Sequence, residues 1–181
     1  MARIQPIDKE TAGAATNDLL RMVKRKMGSV PNIISTMANS LAVTKAYLGF
    51  NQALSAGALS LRMREQIALL VAELNNCNYC LAAHTAFGKG VGLEDQEIAE
   101  ARQATARSDK ERAALEFVKT IVQSHGSVSD NDITQIREAG YSDGEIIEII
   151  ANVALNIFTN YFNIVVATDV DFPTTTDLAA A

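Results

Sequence analysis

The sequence predicts an all-α protein, a compact multi-helical bundle of about seven to nine helices. Three observations carry that expectation. Alanine is abundant and β-branched runs are few, which favours helix. Segment after segment opens on a capping side chain and then repeats its apolar residues at helical intervals. The connections are short, which favours antiparallel neighbours. A chain of 181 residues can bury a real core, and no linker or low-complexity stretch divides it, so residues 1–181 read as one domain.

Residues 4–7, around Pro6, form a short lead-in. Asp8 is placed to cap a first helix reaching residue 26, where Lys24, Arg25 and Lys26 suit a helix C-terminus and Gly28 ends it. A short helix follows over 32–38. Ser40 caps the next, to residue 56, with Leu41, Tyr47, Leu48 and Leu54 at helical spacing. Ser60 caps a helix over 61–74, whose apolar face is Ile67, Leu70, Val71 and Leu74. Asn75 and Asn76 suit a tight turn, and a further helix runs over 78–89. Gly88, Gly90 and Gly92 connect to a helix over 94–103. No strand precedes them and no GK[ST] follows, so they are no phosphate loop. Ser108 with Glu111 predicts a capping box for a helix ending near His125, which there meets the helix dipole. Ser129 with Asp132 opens another helix, ended by Gly140. Ser142 with Glu145 opens the longest, over 143–168. That helix is apolar nearly all round and is expected to be buried on several sides, as the centre of the subunit, an oligomer interface, or both. Asn152, Asn156 and Asn160, approximately continued by Asn163, form a polar stripe along it. The stripe reads first as an interhelical or intersubunit hydrogen-bond network and second as a pocket lining. The tail, 169–181, reads as irregular and draped over a neighbour.

The reactive groups concentrate in residues 64–89, which hold both cysteines, Cys77 and Cys80, and one of the two histidines, His84. Cys77 and Cys80 are three apart, one helical turn, within disulfide reach. They fall in the first turn of the helix over 78–89, where the helix N-terminus favours an anion and lowers a cysteine pKa. His84 continues their face one turn on and is a candidate base. If the chain reverses at Asn76, Glu65 and His84 come to similar heights on facing helices. Glu65 then orients the imidazole, His84 activates a thiol, and the cysteine pair does the redox work. Other readings of the same residues are a zinc site from Cys77, Cys80, His84 and His125, or two buried, inert cysteines.

Glu65, eleven residues, Cys77-Asn78-Tyr79-Cys80, three residues, His84 resembles the Glu-x11-Cys-x2-Cys-x3-His signature of the AhpD-like alkylhydroperoxidases, within the carboxymuconolactone decarboxylase superfamily. The resemblance implies an all-helical, oligomeric protein that reduces organic hydroperoxides. It makes Cys80 the peroxidatic thiol, Cys77 the resolving thiol, and His84 with Glu65 the proton relay. It implies a dithiol reductant of lipoyl type, and trimers or dimer-based hexamers. The residue before the second cysteine, a histidine in the alkylhydroperoxidase that matches the signature best, is Tyr79 here.

The function expected is therefore a thiol-dependent peroxidase with catalytic Cys80, Cys77, His84 and Glu65, and no bound cofactor or metal. The alternatives are a lyase or isomerase of the decarboxylase type using Glu65 and His84 as acid–base groups, and a non-enzymatic, redox-sensing oligomer. A net charge of −5 argues against nucleic acid or an anionic membrane as partner. No stretch of 18 apolar residues reads as a membrane span, and the N-terminus lacks the apolar run of a signal peptide. The expected location is cytoplasmic, where a close cysteine pair is more often catalytic than structural.

Overall fold

Serine side chains set the start of most helices. The computed structural model describes residues 2–8 and 10–173. Among them run nine helices: α1 (Ala14–Met27), α2 (Asn32–Met37), α3 (Leu41–Ser55), α4 (Leu61–Leu74), α5 (Asn78–Gly90), α6 (Asp95–Arg102), α7 (Asp109–Gln123), α8 (Asp130–Glu138) and α9 (Asp143–Val166). Ser40, Ser60, Ser108, Ser129 and Ser142 each accept a backbone N–H of the helix they precede. At Ser129 and Ser142 the third helical residue, Asp132 or Glu145, returns a hydrogen bond to the cap, closing the box. At Ser108 only the serine half forms. The Glu111 carboxylate instead lies 3.5 Å from the Gln66 amide.

Two ends differ from the sequence reading. Asp8 does not cap α1: its Oδ1 accepts the Glu10 amide at 2.9 Å, and α1 begins after Gly13. The Ile7 amide donates to the Ser35 carbonyl at 2.9 Å, which ties the lead-in to α2 and delays the helix. His125 lies beyond α7, past its cap Ser124, in the left-handed region at φ 56°.

Helix α4 is the centre of the fold. Every residue from Gln66 to Ala72 is buried, and α5, α6, α7 and α9 all pack against it. One apolar cluster joins α4 to α6, α7, α8 and α9. A second joins α1, α2 and α5 to Ala72, and both cysteines belong to it. The α3–α4 connection is pinned by α9: the Glu148 carboxylate accepts the Ala58 and Leu59 amides at 2.9 and 3.0 Å.

Helix α9 is less enclosed than its composition suggests. By length and composition it could cross a membrane, yet half of that apolar window is buried inside the fold. Its inward face carries Ile146, Ile149 and Val153 together with all four asparagines. Its outward face leaves Ile147, Ile150, Phe158, Tyr161, Ile164 and Val165 exposed.

Candidate active site

The α4–α5 reversal builds the site. Asn76 turns the chain at φ 54°, a left-handed conformation that asparagine tolerates better than most residues. Asn75 ties the turn to α9 by donating to Asn160 Oδ1 at 3.0 Å. With the chain folded back, Glu65 of α4 and His84 of α5 meet: Oε2 and Nδ1 are 2.8 Å apart, and each side chain is about one fifth exposed. The carboxylate fixes one ring nitrogen and so sets the direction of the other.

Cys77 is the N-cap of α5, its sulfur accepting the Cys80 amide at 3.3 Å. The two Cα atoms are 5.3 Å apart and the sulfurs are joined as a disulfide. Both residues are buried, but they are not equivalent. Cys80 lines a cavity of about 490 Å³ together with Glu65 and His84, and Cys77 does not reach it. The structure thus brings Glu65, His84 and Cys80 to one wall, with Cys77 behind Cys80. Among the described residues no three His, Cys, Asp or Glu side chains cluster so as to hold a metal. His125, the fourth ligand of the zinc reading, lies on a separate cavity.

Several contributors come from distant parts of the chain. Asn163 of α9 donates from Nδ2 to the Cys80 sulfur at 3.3 Å, and its buried Oδ1 has no hydrogen-bond partner. A disulfide sulfur or a thiolate can only accept, so the amide nitrogen is the end that must face it. The rest of the stripe is structural: Asn152 and Asn156 bond carbonyls one turn back, and Asn160 receives Asn75. Arg64 lines the cavity one residue before Glu65, and its Nε contacts Asn152 Oδ1 at 3.4 Å. Tyr47 of α3 is also on the wall. Burial first, then the nearby Glu65 carboxylate, pushes its phenol up to about 12, with Arg64 opposing.

Tyr79, which stands where the signature has histidine, is a wall residue. Its hydroxyl accepts the Ile33 amide at 3.3 Å, and burial, with the Asp171 carboxylate beside it, raises its phenol far above the ordinary range. It therefore stays neutral and supplies no base. An aromatic chain runs from it to the site: Tyr79 on Phe172 at 5.7 Å, Phe172 on Phe87 at 5.4 Å, Phe87 on His84 at 5.9 Å. Phe172 belongs to the tail expected to drape over a neighbour. Its described part packs on its own chain, where Asp171 accepts the Asn32 amide and the Asp169 carbonyl accepts the Asn32 side chain, both at 2.9 Å. Residues 174–181 of that tail lie outside the described residues.

Residues 42–120 match the sequence model of the carboxymuconolactone decarboxylase family. No curated protein matches the sequence. Among solved structures, an alkylhydroperoxidase AhpD core, an uncharacterized peroxidase-related protein from Ralstonia eutropha JMP134, superposes with a TM-score of 0.85 at 22% identity, covering 94% of this chain and 92% of that one. An uncharacterized peroxidase-related protein from Silicibacter sp. TM1040 gives 0.81 at 22% identity, covering 92% and 91%. The debrominase Bmp8, as a C82A variant in complex with 2,3,4-tribromopyrrole, gives 0.78 at 20% identity, covering 93% and 91%. The family match falls on α3 to α7, the segment that carries Glu65, Cys77, Cys80 and His84, and the fold is that of the AhpD core. The chain thus has the fold of the AhpD core, and its residues 42–120 resemble the carboxymuconolactone decarboxylase family.

Proposed function

We propose that the protein is a thiol-dependent peroxidase that reduces organic hydroperoxides through a Cys77–Cys80 disulfide cycle. One observation carries the reading: Cys80 shares a cavity wall with the hydrogen-bonded Glu65–His84 pair, while Cys77 stands behind it within disulfide reach. In this cycle the Cys80 thiolate attacks the distal peroxide oxygen. An S–O bond forms, the O–O bond breaks, and the sulfur becomes a sulfenic acid. The alkoxide leaves as an alcohol with a proton from His84, which Glu65 holds in place. Cys77 then attacks the sulfenic sulfur. The S–S bond forms, and the hydroxyl departs as water with the Cys77 thiol proton. A dithiol donor of lipoyl type restores both thiols by exchange, itself becoming a disulfide. The cycle needs a reducing compartment, the cytoplasm in this reading. The apolar outer stripe of α9 supports a homo-oligomer, a trimer or hexamer, which light scattering would count.

Cys80→Ser should abolish hydroperoxide consumption, and Cys77→Ser should stop at a sulfenic acid that dimedone traps. Full activity in Cys80→Ser would refute the assignment. Activity retained when both cysteines are serine would favour the acid–base lyase reading, since the Glu65–His84 pair does not depend on them. A cavity walled by Tyr79, Phe87 and Phe172 also suits a flat ring, so a brominated pyrrole belongs in the same assay.

A further inference from the structure

The wall of the Cys80 cavity is unbalanced in charge. Arg64 and Lys26 contribute cations, and among the described residues Glu65 contributes the sole carboxylate, already bonded to His84 at 2.8 Å. Other arginines beside α4 are satisfied: Arg62 meets Glu97 at 2.6 Å and Arg102 meets Glu73 at 2.7 Å. Among the described residues Arg64 has only the 3.4 Å contact from Nε to Asn152, and no carboxylate pairs with it. The two terminal nitrogens of its guanidinium, the fork that grips a carboxylate, are left over in a half-buried position. The remainder of the wall is mostly apolar, with Met22, Met27, Ile34, Leu48 and Phe172 among its members. A volume of about 490 Å³ is far more than a small peroxide fills and lies within the usual span of organic-ligand pockets.

We propose that the cavity takes an amphipathic organic hydroperoxide bearing a carboxylate, the carboxylate pairing with Arg64 and the apolar body lying against the methionine, aliphatic and phenylalanine wall. The choice of a hydroperoxide rests on the peroxidase reading; the anion subsite does not. Tyr47 is within electrostatic reach of Arg64 and keeps its phenolic proton at neutral pH, which leaves it free to donate to the same anion. The Glu65 carboxylate is turned to the His84 ring, its Oε2 2.8 Å from Nδ1.

The subsite is tested on the full chain by calorimetric titration with decanoate and with 1-decanol, equal chains that differ in charge. The wild type should bind decanoate about tenfold more tightly, the worth of one charge-assisted pairing. Arg64→Gln should lose that preference, and Arg64→Lys, which keeps the charge without the fork, should retain part of it. Equal affinities in the wild type, or an unaltered preference in Arg64→Gln, would overturn the subsite. In parallel, linoleic acid hydroperoxide and its methyl ester are compared as substrates. The acid should have the lower KM, and Arg64→Gln should close the gap. If the wild type consumes neither peroxide, the peroxidase reading fails while the decanoate preference still decides the subsite. If it consumes both with one KM that Arg64→Gln does not separate, the subsite fails and the peroxidase reading stands.

Discussion

Replacing Asn163 by leucine removes one N–H donor from the Cys80 sulfur and leaves the shape of the site nearly intact. The donor lies 3.3 Å from Sγ, in a residue only 4% exposed, so water cannot readily take its place. A hydrogen bond to a charged partner is worth about 1.5–3 kcal/mol, and one pKa unit corresponds to about 1.36 kcal/mol. The Cys80 thiol should therefore become less acidic by about one to two units. The shift is read from the pH dependence of iodoacetamide alkylation, in a Cys77→Ser background so that a single thiol reports. Stability should not fall. The leucine also removes the unpartnered Oδ1, whose burial costs about 1–3 kcal/mol, and this offsets the lost hydrogen bond. An alkylation midpoint that moves by only a few tenths of a unit would refute the thiolate-stabilising role of Asn163.

Two further outcomes follow from the same geometry. Phe172→Ala removes edge-to-face contacts with Tyr79 and Phe87, each worth about 0.5–1.5 kcal/mol beyond area, so urea unfolding should show a loss of about 1–3 kcal/mol. The same variant opens the cavity wall, and alkylation of reduced Cys80 should quicken. Glu145 is held below its ordinary value first by the Ser142 backbone amide, then by the Ser142 hydroxyl and Lys110. With its folded-state pKa depressed, the stability it adds is complete above the ordinary value of 4.5 and is lost as pH falls through the folded value. Ser142→Ala should cost about 1 kcal/mol near neutral pH and lessen that acid dependence in urea melts, the backbone hydrogen bond to Glu145 remaining.

Much of the fold is written in local chemistry. Ser60 and the Asn75–Asn76 pair bound α4 at Leu61 and Leu74, as the spacing predicts, because caps and turns are decided by neighbouring residues. The Glu65–His84 pairing follows from counting residues on either side of that turn. The first helix does not: Asp8 offers a good cap, but the lead-in is claimed by Ser35, a contact that no local pattern announces. Helix α9 is legible only in part for a related reason. An apolar sequence says that a face must be covered, not by what, and the buried core role falls to α4, whose residues 66–72 are enclosed on all sides. No motif or spacing in the sequence singles out Arg64. Asn163 reads only as an approximate continuation of a stripe. Tyr47 reads as an apolar helix position, and Phe172 falls in the tail. Their convergence on Cys80 depends on how α3, α4, α9 and the tail pack, which sequence spacing does not encode.

The peroxidase cycle is tested most directly by adding one equivalent of an organic hydroperoxide to the reduced protein and following the thiol count with intact mass. The account predicts rapid loss of both thiols, a mass lower by two hydrogens, and full reversal by a dithiol. Thiols and mass that stay unchanged while the peroxide remains would contradict it.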